Sequence, residues 1–330
     1  MLKVLITGGF GNVGRSTVEA CLAAGDALTI LEADSPAARH LGRALGRRWA
    51  RSGIPPRIVF GDVRDPAIAR EAVAGQDAVI HLAALIPPAA DRRPELAKSI
   101  NIGGTANLLA SCAALPAPPR FVFASSVAAY GDRLADYWIK STDPLRPSPG
   151  DEYGRTKVEA EALVRGSGLP FVILRLSAIM SRKKLDPDPI LFSMPLATKL
   201  EICHTEDTGR AFARAARRDE ALGRVLDIGG GAGCRCDYRG FLDRMFSLLG
   251  IGGIGGRAGV PESAFASSGF HCGWYADSDE ADGVLGFRRK NLEDYYAEVA
   301  RETRWLRPLA SLVAPIVRSR LVAASPFFTR

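Results

Sequence analysis

The run TGGFGNVG, Thr7 to Gly14, constrains this chain more than any other stretch. It lies between an apolar run, Lys3 to Thr7, and a segment in which Val18, Cys21 and Leu22 recur at helical spacing and Gly25 closes the pattern. A strand, a glycine turn and a helix in that order form the context a dinucleotide-binding turn requires. Gly8 and Gly11 let the backbone turn tightly and approach a pyrophosphate, and Gly14 lets the helix pack close to the sheet. The helix start then offers unpaired N–H groups and a positive dipole end to phosphates. The candidate contacts are Gly8, Phe10, Gly11, Asn12, Val13 and Gly14.

Further apolar runs at residues 27–31, 57–60, 78–82, 120–124, 170–176 and 224–228 alternate with longer helix-compatible stretches. That alternation predicts an α/β fold: a Rossmann-type, doubly wound parallel sheet with helices on both faces, joined to a smaller C-terminal substrate-binding domain. Residues 1–177 are assigned to the dinucleotide-binding domain, with 201–230 returning to it. Residues 178–200 and 231–303 are assigned to the substrate side, the change being marked by the charge- and proline-rich stretch SRKKLDPDP. GIGGIGG, residues 250–256, is too flexible for a helix interior and reads as a loop.

Glu32 ends the second strand, where a carboxylate can accept from a ribose diol and repel a 2′-phosphate, which favours NAD over NADP. Asp34 could take that part instead, and Arg39 or Arg43 could neutralise a phosphate. Hydrophobic residues at 47% and charged residues at 24% exclude wholesale disorder and a polytopic membrane protein. The six cysteines are scattered, and the lone CxC of Cys234 and Cys236 is too little for a metal site, so reduced thiols, a cytoplasmic setting and no metal are expected. Met1 runs straight into a strand, which argues against a secretory leader. The net charge of +7 owes much to Arg39, Arg43, Arg47 and Arg51, which share one helical face and read as a solvated surface rather than a nucleic-acid site.

The segment DEYGRTKVEAEAL places Tyr153 and Lys157 four apart on a predicted helix, hence on one face. A lysine cation near a phenol favours the phenolate, which could then exchange a proton with a substrate hydroxyl or carbonyl. Ser125 and Ser126 fall at the carboxyl end of a predicted central strand, where open α/β sheets bind ligands. Ser126 could donate to a reacting oxygen, or either serine could simply cap the following turn. His81 reads as a strand-end structural residue rather than a base, because Tyr153 is the better proton carrier.

From residue 2 to residue 287 the chain resembles the extended short-chain dehydrogenase/reductase family, also called the NAD-dependent epimerase/dehydratase family. The ordered motifs TGGFGNVG, GDVRD (61–65), HLAAL (81–85), NIGGT (101–105), SSVAAYG and YGRTK carry the resemblance. It implies that Ser126, Tyr153 and Lys157 form the catalytic group, and that Lys157 also holds the nicotinamide ribose. It further implies that Asp62 and Val63 contact the adenine, and that Leu82, Ala83, Ala84 and Leu176 line the cofactor. Asn101 would support the loop beside the nicotinamide, and a homodimer is the family expectation. Dehydratases of the family carry Thr-Asp-Glu where this chain has Ser126, Val127 and Ala128, which disfavours dehydration. Many nucleotide-sugar epimerases have an asparagine where LRLSAIM gives Ser177 and Ala178, which puts a nucleotide-sugar substrate in doubt. A dehydrogenase or reductase acting on a sugar-like or polyol alcohol is the first reading. A sugar or nucleotide-sugar epimerase is the second, and a non-catalytic nucleotide-binding protein the third.

The substrate pocket is expected to draw on Met180, Phe192, Met194 and His204, although an apolar stripe is more often core. Asp207 reads as a helix-start residue. In the tail, residues 304–330, Leu306, Leu309, Val313, Ile316 and Val317 recur at helical spacing beside arginines, interrupted by Pro308 and Pro315. It reads as an amphipathic helix that packs on the body or a dimer partner, or else makes weak peripheral contact with a membrane.

Overall fold

A computed structural model of the protein describes residues 1–180, 190–256 and 259–328. Most of the stretch that marks the change of texture, 181–189, lies outside them. Twelve strands are present among the described residues: β1 (Lys3–Thr7), β2 (Ala27–Glu32), β3 (Arg57–Phe60), β4 (Ala78–His81), β5 (Arg120–Ser126), β6 (Trp138–Ile139), β7 (Phe171–Leu176), β8 (Ala178–Met180), β9 (Lys199–His204), β10 (Val225–Ile228), β11 (Arg235–Asp237) and β12 (Trp274–Tyr275).

Seven of them form one sheet in the order β10-β7-β5-β4-β1-β2-β3, with every pairing parallel. These seven strands are the apolar runs of the sequence, shifted by at most a few residues at their ends. The chain moves outward from β1 to β3 and then crosses back to β4 on the other side of β1. The loops after β1 and β4 therefore part at the carboxyl ends of the strands, the position of the ligand crevice in doubly wound sheets. Val4 and Ile6 point into one core while Leu5 points into the other, because side chains alternate across a strand. Covered on both faces, these strands carry continuous apolar runs rather than alternation.

A second core is rich in aromatic rings, including Phe192, Tyr238, Phe241, Phe246, Phe265, Tyr275, Tyr295 and Tyr296. Two small sheets, β11-β9-β8 and β12-β6, together with the helices Tyr238–Leu249, Leu292–Thr303 and Arg307–Ala323, contribute to it. The helix Thr205–Ala215 carries the chain back onto the first helix, Asn12–Ala23, where Ser16 Oγ and Thr205 Oγ1 lie 2.9 Å apart in a hydrogen bond. The 250–256 segment is the expected loop, yet Ile251 and Ile254 are buried in the second core. The interrupted apolar face expected of the tail is corrected. Arg307–Ala323 is one continuous helix, with Pro308 in its first turn, where no N–H is needed, and Pro315 inside it.

Candidate dinucleotide and active site

A cavity of about 570 Å³ opens at the switch point between β1 and β4. The glycine turn forms its floor. Gly8 has φ +71°, and a Cβ on it would meet the Ala83 backbone at 2.9 Å; a Cβ on Gly14 would lie 2.2 Å from Gly8 O. The turn and helix therefore interlock with the loop after β4 at a distance only glycine permits. Gly11, at the N-cap of the helix Asn12–Ala23, has no side chain with which to cap it, so the first N–H groups face the cavity without an acceptor from that source. That arrangement fits a pyrophosphate.

Glu32 lines the cavity at the end of β2, its Oε2 accepting from Phe10 N–H (2.9 Å) and its Oε1 from Ala33 N–H (3.3 Å). Burial pushes its carboxyl above the ordinary range, and the two backbone donors offset part of that. Each oxygen keeps a lone pair for a ribose hydroxyl. The rival groups are engaged elsewhere. Asp34 accepts from Arg39 Nε (2.6 Å) and Nη2 (2.7 Å) in a solvent-exposed pair, Arg39 lies 4.9 Å from the Phe60 ring centre, and Arg43 is exposed. None of the three lines the cavity.

Among the other expected cofactor contacts, Gly11, Asn12, Val13, Asp62, Val63, Leu82, Ala83, Ala84, Lys157 and Leu176 line the cavity as well. Two do not. Phe10 is buried against Trp49 and Phe60, so only its backbone serves the site, through Glu32. Asn101 is buried behind the lining: its Oδ1 accepts from Leu85 N–H (2.7 Å), and its Nδ2 donates to Leu85 O (3.0 Å) and Thr156 Oγ1 (2.9 Å). It thereby couples the loop after β4 to the helix Glu152–Gly166 that carries Tyr153 and Lys157.

His81 is buried and takes part in a directed chain of hydrogen bonds. Thr105 Oγ1 donates to Asn101 O (2.6 Å) and so accepts from His81 Nε2–H (2.9 Å); His81 Nδ1 then accepts from Thr7 O–H (2.7 Å), whose oxygen accepts from Ala83 N–H (3.1 Å). Burial, with the nearby Lys157 cation, pulls the imidazole down to about 3. It is a neutral structural connector between β1, β4 and the helix Gly104–Ala113.

Ser126, Tyr153 and Lys157 meet on one wall of the cavity. The Ser126 hydroxyl accepts from Ala128 N–H (3.2 Å), so it caps the following turn, and it lies near enough to the Tyr153 phenol to favour the phenolate. Lys157 Nζ lies 5.6 Å from the Tyr153 ring centre, is buried, and donates to Ala124 O (2.7 Å). The phenolate expected from a neighbouring lysine is not favoured by the surroundings of this wall. Burial pushes Tyr153 up to about 12, with the nearby Ser126 hydroxyl working against it and Asp151 adding to it. Burial also pulls Lys157 down to about 8, and Glu161 pushes it back up. Desolvation outweighs a cation that sits beside the ring and is bonded to a carbonyl.

Several residues that sequence reasoning missed support this wall. Glu161, one helical turn beyond Lys157, accepts from Ser125 Oγ (2.5 Å) and from Arg175 Nε (2.9 Å) and Nη2 (2.8 Å). Arg175 also donates to Tyr130 Oη (2.7 Å) and Ser141 O (2.8 Å), and Tyr130 donates to Asp227 (2.8 Å). Asp151 Oδ1 accepts from Gly154 N–H (2.7 Å) and caps the helix that carries Tyr153, with the Asp91 carboxylate near the same helix start. The i,i+4 step from Lys157 to Glu161 was the one available signal. Ser177 also lines the cavity, and its buried hydroxyl has no hydrogen-bond partner among the described residues, leaving a donor and acceptor for a bound molecule.

The expected pocket residues beyond Ser177 are corrected. Phe192 is fully buried in the second core, and Met180 and Met194 pack against it. His204 caps the helix Thr205–Ala215, its Nδ1 accepting from Glu206 N–H (3.2 Å) and its Nε2 bonded to Glu298 (3.0 Å). None of the four lines the cavity, which Ser177 and Ile179 reach instead. His204, Glu206 and Glu298 form a cluster whose two carboxylates both engage the Lys290 ammonium, so a cation is already supplied. Asp207 sits in the first turn of that helix and accepts from Arg289 N–H (2.9 Å) and Lys290 N–H (3.0 Å), a structural anchor.

A parallel sheet with this strand order and a glycine turn at its switch point define a dinucleotide-binding α/β protein, with Ser126, Tyr153 and Lys157 on one wall of its cavity. Residues 4–194, more than half of the chain, match the NAD dependent epimerase/dehydratase family, and the chain belongs to that family. It is similar to D-erythronate dehydrogenase of Cupriavidus necator, 32% identical over 197 residues, which are 55% of this chain and 56% of that one. It is also similar to L-arabinose 1-dehydrogenase (NAD(P)(+)) of Haloferax volcanii, 31% identical over 208 residues, which are 57% of this chain and 73% of that one. The chain thus spans little more than half the length of the first of these relatives. A short-chain dehydrogenase/reductase superfamily protein from Agrobacterium tumefaciens, solved with bound NAD, shares the fold with a TM-score of 0.71. It is 24% identical, over 93% of this chain and 99% of that one.

Proposed function

We propose that this chain is an NAD-dependent oxidoreductase acting on a secondary alcohol or ketone carbon of a small sugar-like, sugar-acid or polyol substrate. The observation that carries the reading is the convergence of Ser126, Tyr153 and Lys157 on the same cavity as the glycine turn and Glu32. In this reading residues 1–177, rejoined by 201–230, hold the cofactor, and 178–200 with 231–303 supply the substrate side. Similarity to dehydrogenases of a sugar acid and of a free sugar supports the substrate class. A cytoplasmic homodimer belongs to the same reading.

NAD, when bound, supplies the hydride acceptor or donor. The uncapped helix start would hold its pyrophosphate, Glu32 its adenosine ribose and Lys157 its nicotinamide ribose, since Ala124 O takes only one of the three N–H groups of the ammonium. Ser126 orients the reacting oxygen. Tyr153 Oη gives it a proton when a carbonyl is reduced and takes one when an alcohol is oxidised. A phenol held near 12 keeps its proton at neutral pH and so has one to give, whereas oxidation needs the phenolate, so oxidation should speed up as pH rises above neutrality.

The decisive experiment incubates the protein with NAD and a panel of sugar acids, sugars, polyols and nucleotide sugars, reading both NADH and product stereochemistry. Net NADH marks a dehydrogenase; an isomerised product without net NADH marks an epimerase. In Tyr153→Phe turnover should fall by about 10²- to 10⁴-fold while NAD still binds. Near-normal turnover in that variant would remove Tyr153 from the chemistry, and binding without any turnover across the panel would favour a nucleotide-binding role.

A further inference from the structure

The helix Arg307–Ala323 is apolar on two sides. Its inner side, with Leu321 buried and Ala310 and Val317 half-buried, packs on the second core. Arg318 Nη1 donates to Ile251 O (3.0 Å) and Ser325 Oγ donates to Ala264 O (2.5 Å), so the helix is fastened to the body at more than one point. Its outer side presents Leu309, Leu312, Val313 and Ile316, flanked by Leu306 and by Trp305, with exposures from 45% to 80%. At 3.6 residues per turn the four within the helix fall within about a third of its circumference and make one stripe, which Leu306 and Trp305 adjoin at its start. Scattered exposed leucines need no explanation, but a contiguous row rimmed by charge marks a surface that is covered by something.

The charges decide what covers it. The exposed Arg304 and Arg320 lie beyond the two ends of the stripe, while Arg307 and Arg318 fall on the side of the helix that faces the body, where Arg318 is bonded to Ile251 O. The Arg304 guanidinium sits over the Trp305 ring at 4.7 Å, joining a cation to an amphipathic aromatic at the helix entrance. A second copy laid antiparallel on the stripe would bring Arg304 of each against Arg320 of the other, like charge against like. A bilayer surface with anionic headgroups answers both features, because its acyl boundary accepts the stripe and its headgroups accept the arginines. No described helix is long and apolar enough to cross a membrane, so the contact is in the plane of the surface. We propose that this helix docks the protein on anionic lipid bilayers, with Trp305, Leu309, Leu312, Val313 and Ile316 inserted at the headgroup boundary.

The test uses the full chain and sedimentation with vesicles of phosphatidylcholine alone or phosphatidylcholine mixed with phosphatidylserine. It compares wild type, Leu309→Asp/Ile316→Asp and Arg304→Gln/Arg320→Gln. All four side chains are exposed, and an unchanged melting temperature verifies that each variant is folded. Wild type should pellet with the phosphatidylserine vesicles and be released by salt. The Asp pair should lose binding, and the Gln pair should weaken it by about fivefold per arginine. Absence of wild-type pelleting, equal pelleting on neutral vesicles, or full pelleting of the Asp pair overturns the proposal. So does a wild type that sediments as a dimer and ignores vesicles while the Asp pair is monomeric, since the stripe would then be an interface between copies.

Discussion

Behind the cleft, charged side chains lie inside the protein; on the C-terminal helix, large apolar side chains lie outside it. Arg175 and Glu161 are both almost fully buried, yet every group they present is answered: two parallel N–H···O bonds join them, Ser125 adds a third donor, and Tyr130 and Ser141 take the remaining guanidinium edge. Leu312 and Leu309 are 80% and 66% exposed and no described residue covers them. The two regions depart from the usual distribution of polarity in opposite directions. A buried ion pair must be fully bonded to persist, so it reports a geometry the fold needs held: here β5, β7 and the helix of Tyr153 and Lys157 are locked together. An exposed apolar row costs the folded monomer little and reports contact with something else.

The contrast is broken most severely from the inside. Arg175→Met leaves the buried Glu161 carboxylate with only the more exposed Arg165 as a cationic partner (3.3 Å) and should cost up to about 3–5 kcal/mol in urea unfolding, whereas Arg175→Met/Glu161→Leu should recover most of that loss. Equal losses in the single and double variants would mean that packing, not charge pairing, holds the wall.

His81 provides the next largest effect, and it appears as a slope with pH. Its folded value near 3 lies below the ordinary 6.5 of histidine, so the unfolded chain binds a proton between those values that the folded protein refuses. The stabilisation is fully present above about pH 6.5 and is lost as pH falls toward 3, at up to about 1.4 kcal/mol per pH unit. His81→Asn should therefore show a shallower loss of stability between pH 7 and pH 5 than wild type; parallel curves would refute the assignment.

The smallest effect belongs to the outside. Leu309→Asp/Ile316→Asp should move the unfolding free energy by no more than about 0.5 kcal/mol, as surface changes do. A large loss would show that the stripe is part of the core and end the contrast.

Much of the architecture can be read without coordinates, because its signals are local. The glycine turn, the seven sheet strands and the i,i+4 spacing of Tyr153 and Lys157 each arise from residues within one or two elements. The strand-end position of Ser126 follows from the length of one apolar run. The same local reasoning misplaced Phe192, Met194 and His204, since an apolar or aromatic residue near a strand end looks alike whether it faces a pocket or a core.

The sequence by itself determined the fold class, the location of the dinucleotide turn and the three polar residues on the wall of the cavity. Only the tertiary structure decided that Glu161 meets Arg175, that His204 is held by Glu298 across 94 positions of chain, and that Asp34 is bound by Arg39 while Glu32 faces the cavity. It also decided which side of the last helix faces outward. Periodicity states that a helix has an apolar face. Whether that face finds a partner depends on the packing of segments far apart in sequence, and the burial that sets the Tyr153 and Lys157 proton affinities exists only once those segments have closed around them.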